Sequence, residues 1–239
     1  MNEDGSMARL PELEKFAALH DLRILRIAEL IAYRKNERQV RRKSATTLPT
    51  RKTGNWRLMV YGDDLETTLY VALIKGEVRP DAPTLVRLHS QCLTGDVFGS
   101  ERCDCGEQLE AAMAAIDAAG SGVVIYMFDE GRGIGLLNKI RAYALQDEGH
   151  DTVEANHALG FAADMRDFKT AAHILFDLGV REVRLLTNNP DKVKALEDYG
   201  LKVTERVAIE VPPRTANRDY LQTKRTKFGH LLSLGEKKD

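Results

Sequence analysis

His89-Ser90-Gln91-Cys92-Leu93-Thr94-Gly95-Asp96-Val97-Phe98-Gly99-Ser100-Glu101-Arg102-Cys103-Asp104-Cys105-Gly106 holds all three cysteines of this 239-residue chain. Three thiolates can bind a zinc ion and leave its fourth position free, whereas a structural site usually closes with four protein ligands. Cys103 and Cys105 alternate around one residue, so an extended segment turns both thiols to one side. Gly99 and Gly106 let the chain turn around a metal. Spacing alone leaves a second possibility open, a structural zinc completed by His89 or another histidine. Upstream, residues 85–89 read as a strand that runs straight into this loop. Downstream, 107–119 is Ala-rich with Leu109, Met113 and Ile116 on one face, hence a helix, and 122–128 is a buried strand by composition.

Working outward, helices are expected over 134–147, over 168–178 ending at Gly179 as a C-cap, and over 190–199 stopped by Gly200. Strands are expected over 56–61, 68–74, 182–187 and 201–209. Strands alternating with helices imply a mixed α/β (α+β) layered fold, with sheets flanked by helices. Near the start, Leu10, Leu13, Phe16 and Ala17 recur at helical spacing, with Pro11 tolerable in a first turn. Residues 22–25 suggest a short strand and 27–33 a second helix. Between Arg34 and Lys43 six of ten residues are Lys or Arg. Residues 44–50 then show no apolar period, so 35–52 is expected to be a solvated linker rather than a basic binding patch. The expected organisation is an N-terminal segment 1–34, a linker 35–52, a main domain 53–232 and a tail 233–239.

Hydrophobic content of 43% and charged content of 30% are ordinary for a globular protein. Lys plus Arg at 35 against Asp plus Glu at 36 gives a net charge of −1, so overall charge does not point to nucleic acid. No apolar run approaches the ~20 residues of a membrane helix. The first six residues lack the basic and apolar regions of a signal peptide. Three clustered cysteines make a poor disulfide framework, and thiolate ligation suits a reducing compartment, so a cytoplasmic location is expected.

The opening of the quoted stretch, through Asp96, and its close, Arg102-Cys103-Asp104-Cys105-Gly106, resemble the zinc motif of GTP cyclohydrolase II. That enzyme opens the guanine ring of GTP at the start of riboflavin synthesis. Further blocks follow in the family's order: Glu130-Gly131-Arg132-Gly133-Ile134-Gly135-Leu136-Leu137-Asn138-Lys139, then Asp151-Thr152-Val153-Glu154-Ala155-Asn156, then Leu186-Thr187-Asn188-Asn189-Pro190. The resemblance runs from about residue 53 to 232. It implies a zinc ion (Zn2+) on Cys92, Cys103 and Cys105 with water in the fourth place, magnesium (Mg2+) with the triphosphate, and an active homodimer. It places Arg87, Leu88, His89, Ser90, Gln91, Gln108, Glu130, Gly131, Arg132, Thr152, Thr187 and Lys192 on GTP. Asp164, Arg166 and Tyr143 take the catalytic positions. The chain's opening resembles the very end of 3,4-dihydroxy-2-butanone 4-phosphate synthase, which many bacteria fuse in front of the cyclohydrolase. None of that second activity is expected from these residues.

The chemistry explains the residue types. Zinc ligation can lower the pKa of water to about 7, and hydrolysis of guanine needs a nucleophile at C8, a weak electrophile. Attack opens the ring to a formamide, and a second hydration releases formate. Three thiolates donate much negative charge and weaken that acidification, so a protein base is needed. The residues alone leave Asp164 and Asp167 equal; the resemblance selects Asp164. Arg166 matches the family's attacker of the α-phosphorus, yet a guanidinium with pKa above about 12 is a poor nucleophile. An electrostatic clamp is its easier role. Tyr143 shares a helix with Leu136, Ile140, Ala144 and Asp147, which fits a core tyrosine or, by resemblance, one that positions water for formate release. Glu130 suits guanine's N1–H and amine, and Arg132 follows a glycine turn within reach of phosphate.

Asn189 as N-cap and Pro190 as first helical residue open a helix whose free amides, with Thr187 and Lys192, suit an anion. Position 91 is Gln where many family members carry Glu, which removes a negative charge beside the zinc. His157, His173 and His230 read as structural, and residues 219–230 receive no chemical task. Three other functions remain open: an enzyme that stops at the formamido-pyrimidine nucleotide, a non-catalytic GTP-binding subunit, and a zinc-stabilised nucleic-acid module favoured only by the basic stretch.

Overall fold

The computed structural model describes residues 4–27, 29–30, 40–63 and 69–234. Strands β1 (Arg41–Thr50), β2 (Gly54–Gly62), β3 (Leu69–Lys75), β4 (Thr84–Ser90), β5 (Gly122–Met127), β6 (Glu182–Leu186) and β7 (Lys202–Val207) form one sheet. Their order is β1-β2-β3-β5-β4-β6-β7. Pairing is antiparallel from β1 through β3 to β5 and parallel from β5 through β4 and β6 to β7. The helices among the described residues are α1 (Leu10–Leu19), α2 (Leu93–Asp96), α3 (Cys105–Ala119), α4 (Gly135–Asp147), α5 (Thr152–Ala158), α6 (Lys169–Asp177), α7 (Pro190–Asp198) and α8 (Arg218–Lys227). Two 3-10 turns, Glu130–Gly133 and Thr215–Asn217, complete them. Contacts divide the chain into Met1–Gln39, which contains α1, and Val40–Asp239, which contains the sheet. No helix among the described residues is long and apolar enough to cross a membrane.

Residues two apart on a strand share a face, and the central strands feed two cores in this way. On one face Leu85 and Val124 pack with Trp56, Leu186 and Ile209 against Ala112 and Ile116 of α3. On the other, Val86, Leu88, Val123, Ile125 and Met127 meet Ala171, Ala172, Ile174 and Leu175 of α6. Those four residues of α6 recur at helical spacing, and each fully buried aliphatic side chain contributes roughly 1.5–3 kcal/mol. Because both faces are covered, β4 is buried from Thr84 to His89. Gly179 follows α6 with φ 84°, the left-handed stop expected from its position.

Two expectations change. Residues 41–50 of the expected linker are β1, paired with β2 from Arg41↔Gly62 to Thr50↔Gly54. This edge strand is exposed along almost its whole length, so backbone pairing holds it and no apolar alternation marks it. Pro49 is tolerated because only one side of the strand is paired. The short strand expected over 22–25 is absent: residues 22–26 have no regular structure, and Leu22, Ile24 and Leu25 are exposed. The helix expected over 27–33 lies largely outside the described residues, as do 35–39, Thr68 and 235–239. The helices α2 and α8 had no counterpart in the sequence pattern, and of α5 only the helical context of His157 was expected.

Candidate functional site

β4, β5 and β6 run parallel and end at the same edge of the sheet. The path steps from β4 to β5 on one side and then to β6 on the other, so the order reverses at β4. Such a reversal leaves a crevice beyond the strand ends, where ligands settle. A cleft of about 1080 Å³ lies there, lined by the loops that follow these three strands.

The cysteine loop enters it from β4. Cys92 precedes α2, Cys103 lies in a bend and Cys105 is the first residue of α3, so the segment is folded back rather than extended as expected. The three sulfurs lie within 4.8 Å of one another, with Cys92 and Cys103 Sγ atoms 3.6 Å apart. Two glycines permit this. A Cβ on Gly95 would stand 2.9 Å from Cys103 Sγ and 3.1 Å from Cys92 Sγ, and one on Gly106 would stand 2.3 Å from the Gly95 carbonyl oxygen. Gly99, by contrast, is a turn glycine with φ 65°.

No histidine or carboxylate among the described residues joins the sulfur group. His89, the expected alternative fourth ligand, lies with Nε2 3.1 Å from Asp96 Oδ1. Asp96 also accepts from the Cys92 N–H at 3.0 Å and the Tyr126 hydroxyl at 2.8 Å, which fixes the loop. Hydrogen bonds from Cys103 and Cys105, then Lys139 against burial, drive the Cys92 thiol far down. Hydrogen bonds from Cys103 and Cys92, together with burial, drive Cys105 up. Three crowded sulfurs cannot all ionise alone, and a divalent cation removes that conflict. The donor set is consistent with zinc and leaves a place open.

Lys139, which the sequence pattern did not single out, stands beside the sulfurs. Its Nζ donates to Glu130 Oε1 at 2.6 Å and lies 3.1 Å from both Cys92 Sγ and Thr94 Oγ1. Burial pulls its pKa down, but Glu130 and the Cys92 thiolate more than reverse this, so it stays charged. The other Glu130 oxygen accepts the Leu93 N–H at 2.7 Å, so protein donors already engage both oxygens expected to face guanine. Tyr143, one turn beyond Lys139 on α4, lines the cleft with its hydroxyl 3.4 Å from Thr94 Oγ1. Burial raises its pKa against the Thr94 hydrogen bond. Arg102 lies 5.1 Å over its ring and pairs with Asp147 at 2.6 Å.

The rest of the wall is cationic. Arg87, Arg102, Arg132, Lys139, Arg166, Lys192 and Lys224 line the cleft against one carboxylate, Glu130. Arg87 shares the α3 face with Leu85, as the two-residue period requires. It donates to Leu186 O at 3.0 Å and to Gln108 Oε1 at 2.6 Å. Burial draws it down to about 10. Lys192 bonds a neutral acceptor, the Leu88 carbonyl, at 2.8 Å. Burial, and then Arg87 and Arg166, hold its pKa well below the usual lysine range. Arg87 Nε, His89 Nδ1 and Arg132 Nη1 are buried without a protein partner. Depressed cations and orphaned polar atoms in one cleft mark the place of a polyanionic, hydrogen-bonding ligand.

Asp164 does not line the cleft; Arg166 does, and the two form a bidentate pair, with Nε 2.9 Å from Oδ1 and Nη2 bonded to Oδ2. Burial raises the Asp164 pKa, but Arg166 outweighs it and holds the carboxyl below the usual range. Asp167 instead accepts the Lys169 N–H at 2.8 Å and the Tyr199 hydroxyl at 3.2 Å, which separates two residues the sequence left equal. Arg166 also donates to Ser90 Oγ at 3.2 Å. The Leu88 side chain is in the core, and only its carbonyl serves the site. Gln91, Gly131 and Thr152 line the cleft, and Gln108 links Arg87 to Asp104. Asn189 caps α7 by accepting the Asp191 N–H at 3.0 Å, Pro190 follows it, and Thr187 Oγ1 accepts the Asn189 N–H at 3.0 Å. Sequence reading missed Lys139, Arg102, Asn156, Tyr220, Lys224 and His230. Of these, Arg102, Lys139 and Asn156 lie inside the family-like blocks, and Lys139 also stands i,i+4 from Tyr143.

An α/β sheet whose strand ends hold a three-cysteine cluster consistent with zinc, beside a cation-lined cleft, defines the class of protein: one with a site fit for a metal ion and a phosphate-bearing ligand. The family model of GTP cyclohydrolase II matches residues 41–208. The chain is 54% identical over 235 residues to the riboflavin biosynthesis protein RibBA of Bacillus cereus, covering 98% of this chain and 59% of that protein. It matches RibBA of Bacillus mycoides at the same identity and coverage. A solved two-domain 3,4-dihydroxy-2-butanone 4-phosphate synthase from A. baumannii aligns at 27% identity and a TM-score of 0.41, over 88% of this chain and 52% of that one. The chain belongs to the GTP cyclohydrolase II family, and it spans 59% of the length of the curated relatives it matches.

Proposed function

We propose that this chain hydrolyses GTP to 2,5-diamino-6-ribosylamino-4(3H)-pyrimidinone 5′-phosphate, formate and diphosphate, the first committed step of riboflavin biosynthesis. The observation that carries this is the three-sulfur cluster with no fourth side-chain ligand among the described residues, opening into a cleft with seven cations. Cys92, Cys103 and Cys105 would hold one zinc per subunit, and zinc there supplies Lewis acidity that brings the pKa of water toward neutrality. Arg87, Arg132, Arg166 and Lys192 grip the triphosphate, and magnesium would add positive charge against it. When Arg166 turns from Asp164 onto the α-phosphate, it acts as a charged clamp and releases the carboxylate. Asp164 then accepts a proton from the water that attacks C8. The Tyr143 hydroxyl, beside Thr94, orients water for hydrolysis of the formamide. Lys139 balances the Cys92 thiolate. The family supports a homodimer, and the thiolate chemistry suits a reducing cytoplasm.

Incubation of purified protein with GTP, magnesium and zinc tests this. Formate and diphosphate should appear together and vanish with chelator. Diphosphate without formate would mean that the reaction stops at the formamide; binding without turnover would reduce the chain to a GTP-binding subunit.

A further inference from the structure

The family match ends at residue 208, yet Tyr220, Lys224 and His230 line the same cleft. The segment carrying them is fastened to three parts of the site. Lys224 Nζ pairs with buried Asp104, between two of the cysteines, at 2.6 Å. Asp104 in turn accepts from Gln108 at 2.6 Å, and Gln108 accepts from Arg87 at 2.6 Å. The Leu231 N–H donates to the Asn188 carbonyl at 2.8 Å, at the end of β6. Phe228 stacks on Arg132 with the guanidinium carbon 3.6 Å from the ring centre. Arg132 has φ 61°, a conformation that strains a side-chain-bearing residue, so this stack and the Met165 N–H bond to its carbonyl hold a costly geometry.

We propose that the C-terminal segment supplies part of the polyphosphate site, with Lys224 and His230 joining Arg132, Arg166 and Lys192 as one cradle. This deepens the GTP reading and rests on it for the nucleotide, though not for the polyphosphate. His230 lines one cleft with Lys224 of α8, Arg132 of the 3-10 turn, Lys192 of α7 and Arg166 of the loop before α6. The nearby carboxylates Asp104 and Asp164 are already paired with Lys224 and Arg166, and Asp129 lies among Arg166 and Lys192. Burial and then the four cations draw His230 down to about 3, so it is neutral in the empty cleft at pH 7. A triphosphate seated among those cations reverses the local field and favours the imidazolium. Binding should therefore take up a proton.

The test uses the metal-loaded full chain, titrated calorimetrically at pH 7 in buffers of differing ionisation enthalpy. Probes are a GTP analogue with a methylene in the α,β-bridge, GMP, and inorganic tripolyphosphate. His230→Gln should weaken the analogue and tripolyphosphate about tenfold, a charge-assisted hydrogen bond being worth about 1.5 kcal/mol, with GMP changed far less. Proton uptake seen with wild type should fall in the variant. Lys224→Met should lose affinity in the same order, and circular dichroism with urea unfolding checks that both variants fold. Wild-type affinity and proton uptake in a folded His230→Gln would overturn the proposal, as would equal losses for GMP and the analogue. Tripolyphosphate binding without any guanine-nucleotide binding would leave the cradle standing and remove the GTP reading.

Discussion

Replacing Lys139 by Met removes one half of a buried ion pair and leaves the other half in place. The side chains of Lys139 and Glu130 are 10% and 7% exposed, and their charged atoms are 2.6 Å apart. Stranding a buried charge in this way costs about 3–5 kcal/mol. Glu130 keeps the Leu93 N–H at 2.7 Å, which places the loss near the lower end, about 3 kcal/mol. For a domain of this size each kcal/mol moves the melting temperature by about 2–4 °C, so the variant should melt about 6–12 °C lower. Glu130→Gln in the same chain removes the stranded charge. The double variant should recover at least about 2 kcal/mol relative to the sum of the singles, the signature of direct coupling. Equilibrium urea unfolding of the four proteins, metal-free, measures the cycle. A melting point within 2 °C of wild type, or strictly additive losses, would refute the account of Lys139 as a buried counter-ion.

Gly95→Ala places a methyl about where Cys103 Sγ and Cys92 Sγ approach within 2.9 and 3.1 Å, so the fold should persist while zinc affinity falls at least tenfold by chelator competition. Unchanged affinity would mean that the loop gives way freely. Tyr143→Phe should leave GTP binding within threefold of wild type and accumulate the ring-opened formamide, detected by mass; a wild-type product distribution would assign the hydroxyl no part in formate release. His230 at about 3 lies below its unfolded value, so the unfolded chain binds the extra proton and stability drops as pH falls below about 6.5. The slope from this group is at most about 1.4 kcal/mol per pH unit, and His230→Gln should flatten the decline between pH 6.5 and 4.5 by that order. His89, also lowered by burial, keeps some slope in the variant; identical urea midpoints with and without His230 would contradict the burial argument.

The three cysteines, the strand that leads into them and the helix that leads out were legible because each rests on local rules: ligand spacing, two-residue alternation and helical period. The same rules gave Asn189 and Pro190 at the start of α7 and Gly179 after α6. They failed on β1, whose residues are exposed and whose order comes from pairing with β2, a partner no local pattern names. They also failed on α8, where Lys224 looks like one more surface lysine until Asp104, 120 residues away, is brought to it.

Charge shows the division most clearly. The sequence alone determined a near-neutral chain with three cysteines spaced as metal ligands and the residue types for phosphate chemistry. Only the tertiary structure decided that seven cations from separate segments share one cleft, that Arg166 locks onto Asp164, and that Glu130 serves Lys139 and the cysteine loop. The reason is physical: parallel strands bring their C-terminal ends to one edge whatever the distance along the chain. Burial then changes what each side chain can do once it is there.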